Sequence, residues 1–478
     1  MLFNSISFLL FLPIVFALYW WVNKRDLQIQ NGLLLLASYF FYASWDWRFL
    51  FLLLFSTALD YFTGLKMAQA KNEGYKKTWF WLSIIVNLGF LGVFKYYNFF
   101  ADSFAEALAG LGFQANFWTL KVILPVGISF YTFHGLSYVI DIYKGRIQPE
   151  RNIITYSLFV AYFPLLVAGP IERATHLLPQ IKKRRVFDYS KAIDGVHQII
   201  WGLFKKVVIA DNCALYANDI FDHYESMNSL SLLLGAIYFA FQIYGDFSGY
   251  SDIALGTSKL FGIDLLRNFN YPYFSRDIAE FWRRWHISLS SWFRDYLYIP
   301  LGGSKGGTWM KVRNTFIIFV VSGFWHGANW TFIIWGALHA LYFLPLLITQ
   351  NNRNNIDCVA KGKSLPTFKE LGGMVLTFGL TAFAWIFFRA KTVSEAFAYI
   401  KNIFRFKFDG GIQYLEFERY SIEFLLLLGF FIVIEWSARE REHFITGKWI
   451  KLKVLAIVTA ILVLGVYSSP TDFIYFQF

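Results

Sequence analysis

The amino-acid sequence predicts an all-α polytopic membrane protein with about eleven spanning or re-entrant helices. Of its 478 residues, 56% are hydrophobic and only 16% are charged, whereas soluble domains carry about 25% charged residues. The mean hydropathy is +0.43. Many uncharged runs approach the roughly 20 residues that cross a bilayer as a helix, and the sequence lacks the short alternating segments that are typical of membrane strands.

The predicted membrane segments follow one another along the whole chain. Residues 2–22 lack a basic leading region and a small-residue cleavage pattern, which predicts a retained first helix and not a removed signal peptide. The apolar stretch 32–64 would extend about 50 Å as one helix, and the run WDWR at 45–48 interrupts it with two charged residues, so two spans are expected. Because no internal repeat or low-complexity linker divides the chain, residues 1–478 are predicted to form a single membrane domain. Further segments are predicted near residues 79–100, 118–143, 153–169, 195–212, 230–262, 315–348, 371–388, 421–437 and 454–468.

Basic residues cluster in the connectors between the apolar runs. The formal net charge is +12, but this distribution is the orientation signal of a membrane protein and does not indicate a nucleic-acid surface. We expect the basic connectors near residues 66–77, 182–185 and 439–453 to lie in the cytoplasm. Counting spans from these connectors predicts that both termini lie outside, with an extracytoplasmic aromatic tail at 470–478. The two cysteines, Cys213 and Cys358, lie far apart in the sequence and predict neither a disulfide framework nor a metal site.

One histidine is predicted to lie near the middle of the membrane. Residues 315–348 are 34 consecutive positions without Asp, Glu, Lys or Arg, about 51 Å as a straight helix, and the run GFWHGAN at 323–329 offers a break. Counted from Arg313, His326 would lie about 15–20 Å along the path. A buried imidazole is mostly neutral and able to act as a base, although a histidine that only hydrogen-bonds two helices together fits this position equally well.

The segment RDIAEFWRRWHISLSSWFRDYLYIPLGG at 276–303 is predicted to lie at the cytosolic interface. Its large apolar residues recur at spacings of three and four, which predicts one continuous helix face up to Tyr296. His286 aligns with the apolar positions, so we expect its side chain to point into the protein. The arginines of this segment could hold the phosphates of coenzyme A, and the orientation signal alone explains them at least as well. The candidates are Arg283, Arg284 and Arg294.

Two carboxylates are embedded in the apolar run FQIYGDFSGYSDIALG at 241–256, and intramembrane carboxylates are candidates for function. Asp246 and Asp252 are six residues apart and cannot share one helix face, so a paired acid–base site is not expected. The sequence favours a structural polar network instead. Further candidates for this network, or for the lining of a tunnel, are Gln242, Trp325 and Asn329.

The motifs LVAGPIER, GDFSGYSDIALG, FWRRWHISLSSWFRDYLYIPLGG and SGFWHGANWTFIIWGALHA occur in this order. With the apolar opening and the aromatic tail, they make the chain resemble the membrane-bound O-acyltransferase (MBOAT) family over essentially its whole length. The resemblance is to the bacterial branch that O-acetylates alginate and peptidoglycan. It implies an inner-membrane acyltransferase of about eleven helices around a funnel or tunnel, with an essential histidine at His326 and a second family histidine at His286.

The resemblance also implies a direction for the chemistry. A cytosolic acyl thioester, with acetyl-CoA as the expected donor substrate and no permanently bound cofactor, delivers its acyl group to an acceptor outside. In this branch a C-terminal aromatic motif contains a tyrosine, which corresponds to Tyr475 here as the acyl carrier. The implied route continues to a serine of an extracytoplasmic SGNH-hydrolase-like partner and then to a glycan. The alternative is a tyrosine that only anchors the last helix in an aromatic belt.

Other functions stay open on the sequence alone. D-alanyl or other acyl transfer to an envelope polymer would use the same kind of histidine site. A polytopic transporter would explain the intramembrane Asp and His residues, and a nonenzymatic scaffold would explain the many aromatic surfaces. The sequence favours acyl transfer from an acyl-CoA to a cell-envelope or exported polysaccharide, by a protein surrounded by membrane lipid that binds no nucleic acid.

Overall fold

A computed structural model of the chain describes residues 1–22, 26–113, 124–167, 169–408, 410–413, 421–467 and 473–474. Helices are the only regular secondary structure in this part of the chain, as the sequence predicts. The chain divides into two compact units, Met1–Gly195 with Thr257–Leu266, and Val196–Gly256 with Arg267–Phe478. The single membrane domain over 1–478 stays a prediction.

The described part of the first unit contains eight complete helices. The predicted break between the second and third is confirmed, because Asp46 caps the third helix and its carboxylate accepts a hydrogen bond from Arg48 N at 3.0 Å. A π-helical turn at Gly92–Tyr96 joins the fourth helix to the fifth. These helices are α1 (Ile6–Val22), α2 (Leu27–Ala43), α3 (Trp47–Ala68), α4 (Glu73–Leu91), α5 (Tyr97–Gly110), α6 (Ile128–Tyr143), α7 (Ile153–Ala161) and α8 (Ala174–Ile181).

The second unit contains the segments with the candidate site residues. A ninth helix, α9 (Tyr189–Phe204), runs into it and continues through a π-helical turn at Lys205–Ala210. The later helices are α10 (Asp211–Asp222), α11 (Ser229–Leu260), α12 (Ile278–Arg284), α13 (Ile287–Phe293), α14 (Gly307–His326), α15 (Trp330–Ile348), α16 (Phe368–Arg389), α17 (Val393–Ile403), α18 (Ser421–Ala438) and α19 (Ile450–Leu464).

Five helical stretches of the described chain are long and apolar enough to cross a membrane. The sequence-based number of about eleven also counts shorter and re-entrant segments, and that number stays a prediction. The five stretches are Trp47–Ala68, Glu73–Gly110, Ser229–Leu260, Trp330–Ile348 and Phe368–Arg389.

The predicted break in the long apolar run is confirmed, since α14 ends at His326 and α15 begins at Trp330. The two helices pack backbone against backbone through glycines. A Cβ atom on Gly323 would lie 2.2 Å from the Phe332 carbonyl oxygen, and one on Gly336 would lie 2.3 Å from the Phe319 carbonyl oxygen. Such close packing between small residues is typical of membrane helices, and it fixes the end of α14 where His326 lies.

Candidate active site

His326 is the last residue of α14 and is buried, with 3% of its surface exposed. Its ring packs edge-on against Trp335 of α15 and Phe388 of α16, with centroids 5.2 and 5.4 Å away. Trp325 adds a third ring at 4.8 Å. The imidazole therefore lies in an aromatic environment, where the low local dielectric strengthens any electrostatic interaction with a bound substrate.

The prediction of one continuous helix face through 281–296 is wrong. Helix α12 ends at Arg284, and His286 adopts a left-handed backbone conformation, with φ of 43°, before α13 begins at Ile287. The neighbouring loop causes this break. Asn270 N donates to the Arg284 carbonyl at 2.9 Å, and Ile287 N donates to the Asn268 carbonyl at 2.9 Å. These bonds satisfy backbone groups that a continuous helix would have paired internally.

His286 is completely buried, as the sequence predicts, and Asn268 holds its ring. The Asn268 side-chain oxygen lies 3.0 Å from His286 Nδ1 and 3.3 Å from Ser288 N, and it also accepts from the Ser288 hydroxyl at 2.9 Å. Because a backbone N–H can only donate, the amide atom at this position is the oxygen. His286 Nδ1 is therefore the donor, and the lone pair of the neutral ring is on Nε2.

The free side of this ring is suited to contact a substrate. His286 Nε2 has no hydrogen-bond partner among the described residues. Burial lowers the pKa of His286 to about 3, so the ring is neutral at physiological pH. Phe247 of α11 packs edge-on against it at 4.6 Å. A neutral, oriented imidazole with an available lone pair is able to accept a proton or a hydrogen bond.

The two candidate histidines belong to one site. Their ring centroids lie 6.4 Å apart, and the Trp325 ring lies 6.1 Å from that of His286. Sequence reasoning did not predict this proximity, because it placed His286 at the cytosolic interface and His326 near the middle of the membrane. A substrate group of a few atoms placed between the rings would contact both.

Asp246 and Asp252 take part in a buried ionic network on α11, as the sequence favours. Asp252 pairs with Lys205 at 2.5 Å, and Asp246 pairs with Lys206 at 2.9 Å. Lys206 also pairs with Asp211 at 2.8 Å. Both lysines belong to the π-helical turn after α9, and this arrangement satisfies charges that would otherwise be costly to bury.

Part of the aromatic tail is buried beside this network. Ile474 N donates to Asp246 Oδ2 at 2.7 Å. The Phe473 ring lies 4.9 Å from that of Tyr250 and 6.2 Å from that of Phe247, the residue that packs against His286. Tyr475, the proposed acyl carrier, lies outside the described residues.

The remaining polar candidates, Asn329 and Gln242, differ in their hydrogen bonds. Asn329 caps α15, accepting from Thr331 N at 3.0 Å and donating to the Lys391 carbonyl at 2.9 Å. Gln242 is buried on α11, and its side-chain oxygen has no hydrogen-bond partner in the described part of the chain. Their assignment to a tunnel stays a prediction.

The three candidate arginines differ in exposure and in partners. Arg284 is buried and binds Glu280 and the carbonyl groups of Asn270 and Asp357. Arg283 is exposed and donates to two carbonyl groups of the connector after α15, while Arg294 is exposed and paired with Asp295. Only the two exposed side chains are placed to meet a phosphate from solution.

A polar cavity lies next to Asn268 within the second unit. Sequence reasoning missed Asn268, both lysines of the π-helical turn and Glu435, whose carboxylate accepts from the Tyr244 hydroxyl at 2.6 Å. The consecutive lysines inside a predicted membrane segment were a usable signal, because each requires a carboxylate partner. The charged and amide side chains that line the cavity are Lys205, Asp252, Arg267, Asn268, Glu435 and Glu442.

Comparison with known proteins identifies the class of protein to which this fold and site belong. The sequence model of the membrane-bound O-acyltransferase family matches residues 148–364, which include both histidines. The relatives described next extend the similarity over most of the chain, and the chain belongs to this family. It is a polytopic membrane-bound acyltransferase.

Three relatives illustrate the range of the family around this chain. The probable alginate O-acetylase of Pseudomonas aeruginosa is 39% identical over 92% of this chain and 82% of the relative. The peptidoglycan O-acetyltransferase of Helicobacter pylori is 33% identical over 100% of this chain and 98% of its own. The teichoic acid D-alanyltransferase of Bacillus subtilis is 29% identical over 57% of this chain and 70% of its own.

Proposed function

We propose that this protein transfers an acetyl group from cytosolic acetyl-CoA, across the bacterial inner membrane, to an exported or cell-envelope polysaccharide. The observation that carries the proposal is the meeting of His286 and His326 in one buried aromatic site, with ring centroids 6.4 Å apart. The names of the two O-acetylating relatives support both the acetyl group and the polysaccharide.

In the first step of the proposed route, the Tyr475 hydroxyl attacks the thioester carbonyl carbon. Before reaction the single phenolic proton is held in a hydrogen bond to the Nε2 lone pair of His286, which orients the hydroxyl, and the proton passes to His326 as the hydroxyl attacks. The new C–O bond forms as the C–S bond breaks, and the departing thiolate takes the proton to give coenzyme A as the free thiol. A phenol has a pKa near 10, so its ester retains more transfer potential than an ester of an alkyl alcohol.

Two further exchanges complete the route. A serine hydroxyl of an extracytoplasmic SGNH-hydrolase-like partner attacks the tyrosyl ester, which regenerates the phenol, and a glycan hydroxyl then attacks the seryl ester. The burial of Phe473 and Ile474 beside the histidine site supports the carrier over a belt anchor, because a belt residue would face lipid. The docked segment leads directly in sequence to Tyr475.

The proposed donor side is the cytosolic interface. We assign contacts with the coenzyme phosphates to the exposed residues Arg283 and Arg294, since a guanidinium matches phosphate geometry. The distribution of Lys and Arg supports a cytosolic location of residues 274–313 and an outward location of both termini. The funnel or tunnel implied by the family would join this side to the histidines.

The decisive experiment supplies acetyl-CoA with a labelled acetyl group to the purified protein in the absence of its partner. We expect label on the C-terminal peptide of the wild type, detected by mass spectrometry of the intact peptide, and none in Tyr475→Phe or His326→Ala. Tyr475→Phe retains the ring and removes only the hydroxyl, so equal expression and full acetylation of the polymer in this variant would refute the carrier.

The same assay tests the identity of the acyl group. The relative named teichoic acid D-alanyltransferase makes a D-alanyl donor the appropriate competitor. We expect acetyl-CoA to load the tail and a D-alanyl thioester not to do so. The opposite result would assign this chain to D-alanyl transfer.

A further inference from the structure

The end of α19 and the chain after it are held through their main-chain groups by hydrogen bonds at more than one point. Asn212 Nδ2 donates to the Leu464 carbonyl at 3.0 Å, and Val466 N donates to the Val207 carbonyl at 3.1 Å. Ile474 N then donates to Asp246 Oδ2 at 2.7 Å. The described parts of this C-terminal segment therefore bind one surface, made by the start of α10, the π-helical turn before it and α11.

The π-helical turn positions two lysine side chains at this surface. A Cβ atom on Gly202 would lie 2.6 Å from the Gly249 carbonyl oxygen, so α9 and α11 are in backbone contact just before the turn. The turn then directs two consecutive lysines at the two aspartates of α11. Interruptions of this kind often occur at functional sites.

Asp246 has two different partners on its two oxygen atoms. Oδ1 faces Lys206, which is shared with Asp211, and Oδ2 accepts the Ile474 amide. Asp246, Lys206, Asp211 and Ile474 are all buried, and the most exposed of them, Lys206, is 7% exposed. Lys206 lies between the two carboxylates, and the Ile474 N–H adds a hydrogen bond to the second oxygen of Asp246, which further stabilises the buried charge.

We infer that the Asp246 carboxylate, oriented by Lys206, is the docking site for residues 473–474 and positions the C-terminal segment beside His286. The link to His286 is the Phe247 ring, which contacts both His286 and Phe473. Asp246 is then a positioning residue, and its consequence for acyl loading rests on the proposed function. Docking itself does not depend on that function.

The Asp246 carboxylate binds a main-chain N–H of the tail, so a matched pair of variants at position 474 can test the docking. Ile474→Pro removes the donor N–H, whereas Ile474→Ala retains it and removes only side-chain contacts. On α11, Asp246→Leu removes the acceptor, and Asp252→Asn alters the neighbouring ion pair without touching the tail.

The test of docking uses a cysteine reporter at a buried tail position in the full-length protein, with Cys213 and Cys358 replaced by Ser. We expect Ile474→Cys to react slowly with a maleimide, and at least tenfold faster when combined with Asp246→Leu. When Ile474→Cys is combined with Asp252→Asn, the rate of the maleimide reaction should stay within about twofold of the rate for Ile474→Cys alone. Size-exclusion chromatography and thermal melting verify folding of each variant. An unchanged slow rate in folded Asp246→Leu protein would overturn the inference.

A second measurement covers the case in which Asp246→Leu fails to fold. With Phe473→Cys as reporter, Ile474→Pro should label at least fivefold faster than Ile474→Ala, and equal rates would overturn docking through the amide. Acyl loading of the tail should be reduced at least tenfold by Ile474→Pro but not by Ile474→Ala. If the labelling rates differ while wild-type protein never acquires an acyl group on the tail, docking stands and the proposed carrier function fails.

Discussion

The imidazole rings of His286 and His326 lie 6.4 Å apart although 40 positions separate them in the sequence. Two local features accompany this proximity. The backbone leaves the helical conformation at His286, between α12 and α13, and helix α14 ends at His326. The rings are inclined at 58° to each other, so they present different edges to the space between them. A substrate hydroxyl and a thioester placed in this space would each lie close to an imidazole nitrogen of one of the two histidines.

We predict that His326→Ala reduces acyl transfer by at least a hundredfold while the protein still inserts and purifies. The expected factor follows from the usual contribution of a positioned general base, about 10²–10⁴-fold. The measurement is acetylation of the envelope polymer together with loading of the tail by labelled donor. Near-normal acetylation in a strain that carries this variant would remove His326 from the mechanism.

Asn268→Ala should lower the turnover number by about 10²-fold with a smaller effect on the KM for the donor. The variant loses the acceptor that keeps the proton of His286 on Nδ1, so the lone pair no longer has a fixed position. Ser290→Ala is the matched control, because it removes only a 3.4 Å contact with the Trp285 carbonyl in the same segment. Equal losses in both variants would indicate a general disturbance of this segment.

Asn268→Asp should make activity sensitive to acid. In the wild type, burial lowers the pKa of His286 to about 3, so its ring is neutral throughout the usual assay range. A carboxylate at position 268 favours the imidazolium and raises this pKa. Because the protonated ring has lost its lone pair, the acid limb of the pH–rate profile should move to higher pH. A profile that coincides with that of the wild type would exclude contact between the two groups during turnover.

Gly336→Ala should destabilise the α14–α15 hairpin by about 1–3 kcal/mol, the usual cost of forcing extra atoms into a packed interior. Its Cβ atom would lie 2.3 Å from the Phe319 carbonyl oxygen, so the helices must separate. Gly379→Ala on α16 is the control, since a Cβ atom there meets no atom within 4 Å. Thermal melting in detergent compares the two, and an equal melting temperature would contradict the close packing.

The predicted topology requires opposite labelling of two introduced cysteines. Lys305→Cys lies in the exposed stretch before α14 and should react with a membrane-impermeant reagent only after the membrane is opened. Ser469→Cys, in the C-terminal segment outside the described residues, should react from outside in intact cells. The reverse pattern would invert the proposed path from cytosolic donor to external acceptor.

The sequence predicted regular features of the fold well because they depend on local composition and length. The breaks at 44–46 and 327–329 follow from polar or glycine-rich residues within runs too long for one crossing. The burial of His286 was also predicted, although the helix on which that prediction relied is interrupted at this residue. These predictions needed no knowledge of which helices touch.

The adjacency of the histidines and the role of Asn268 could not be predicted in this way. The helical spacing through His286 is regular, and only hydrogen bonds from the loop at 268–270 interrupt the helix. The partners of Asp246 are likewise distant, at Lys206 on one side and Ile474, 228 positions away, on the other. A single sequence carries no direct record of such tertiary pairs.

The position of His326 as the final residue of α14 has an electrostatic consequence. The aligned peptide groups of a helix give its C-terminal end a partial negative charge of about half an elementary charge. The field of this charge acts most strongly on the ring at the moment when the imidazole becomes positive. The helix would therefore help the ring to hold a proton briefly and then return it to the departing sulfur, as rapid turnover requires.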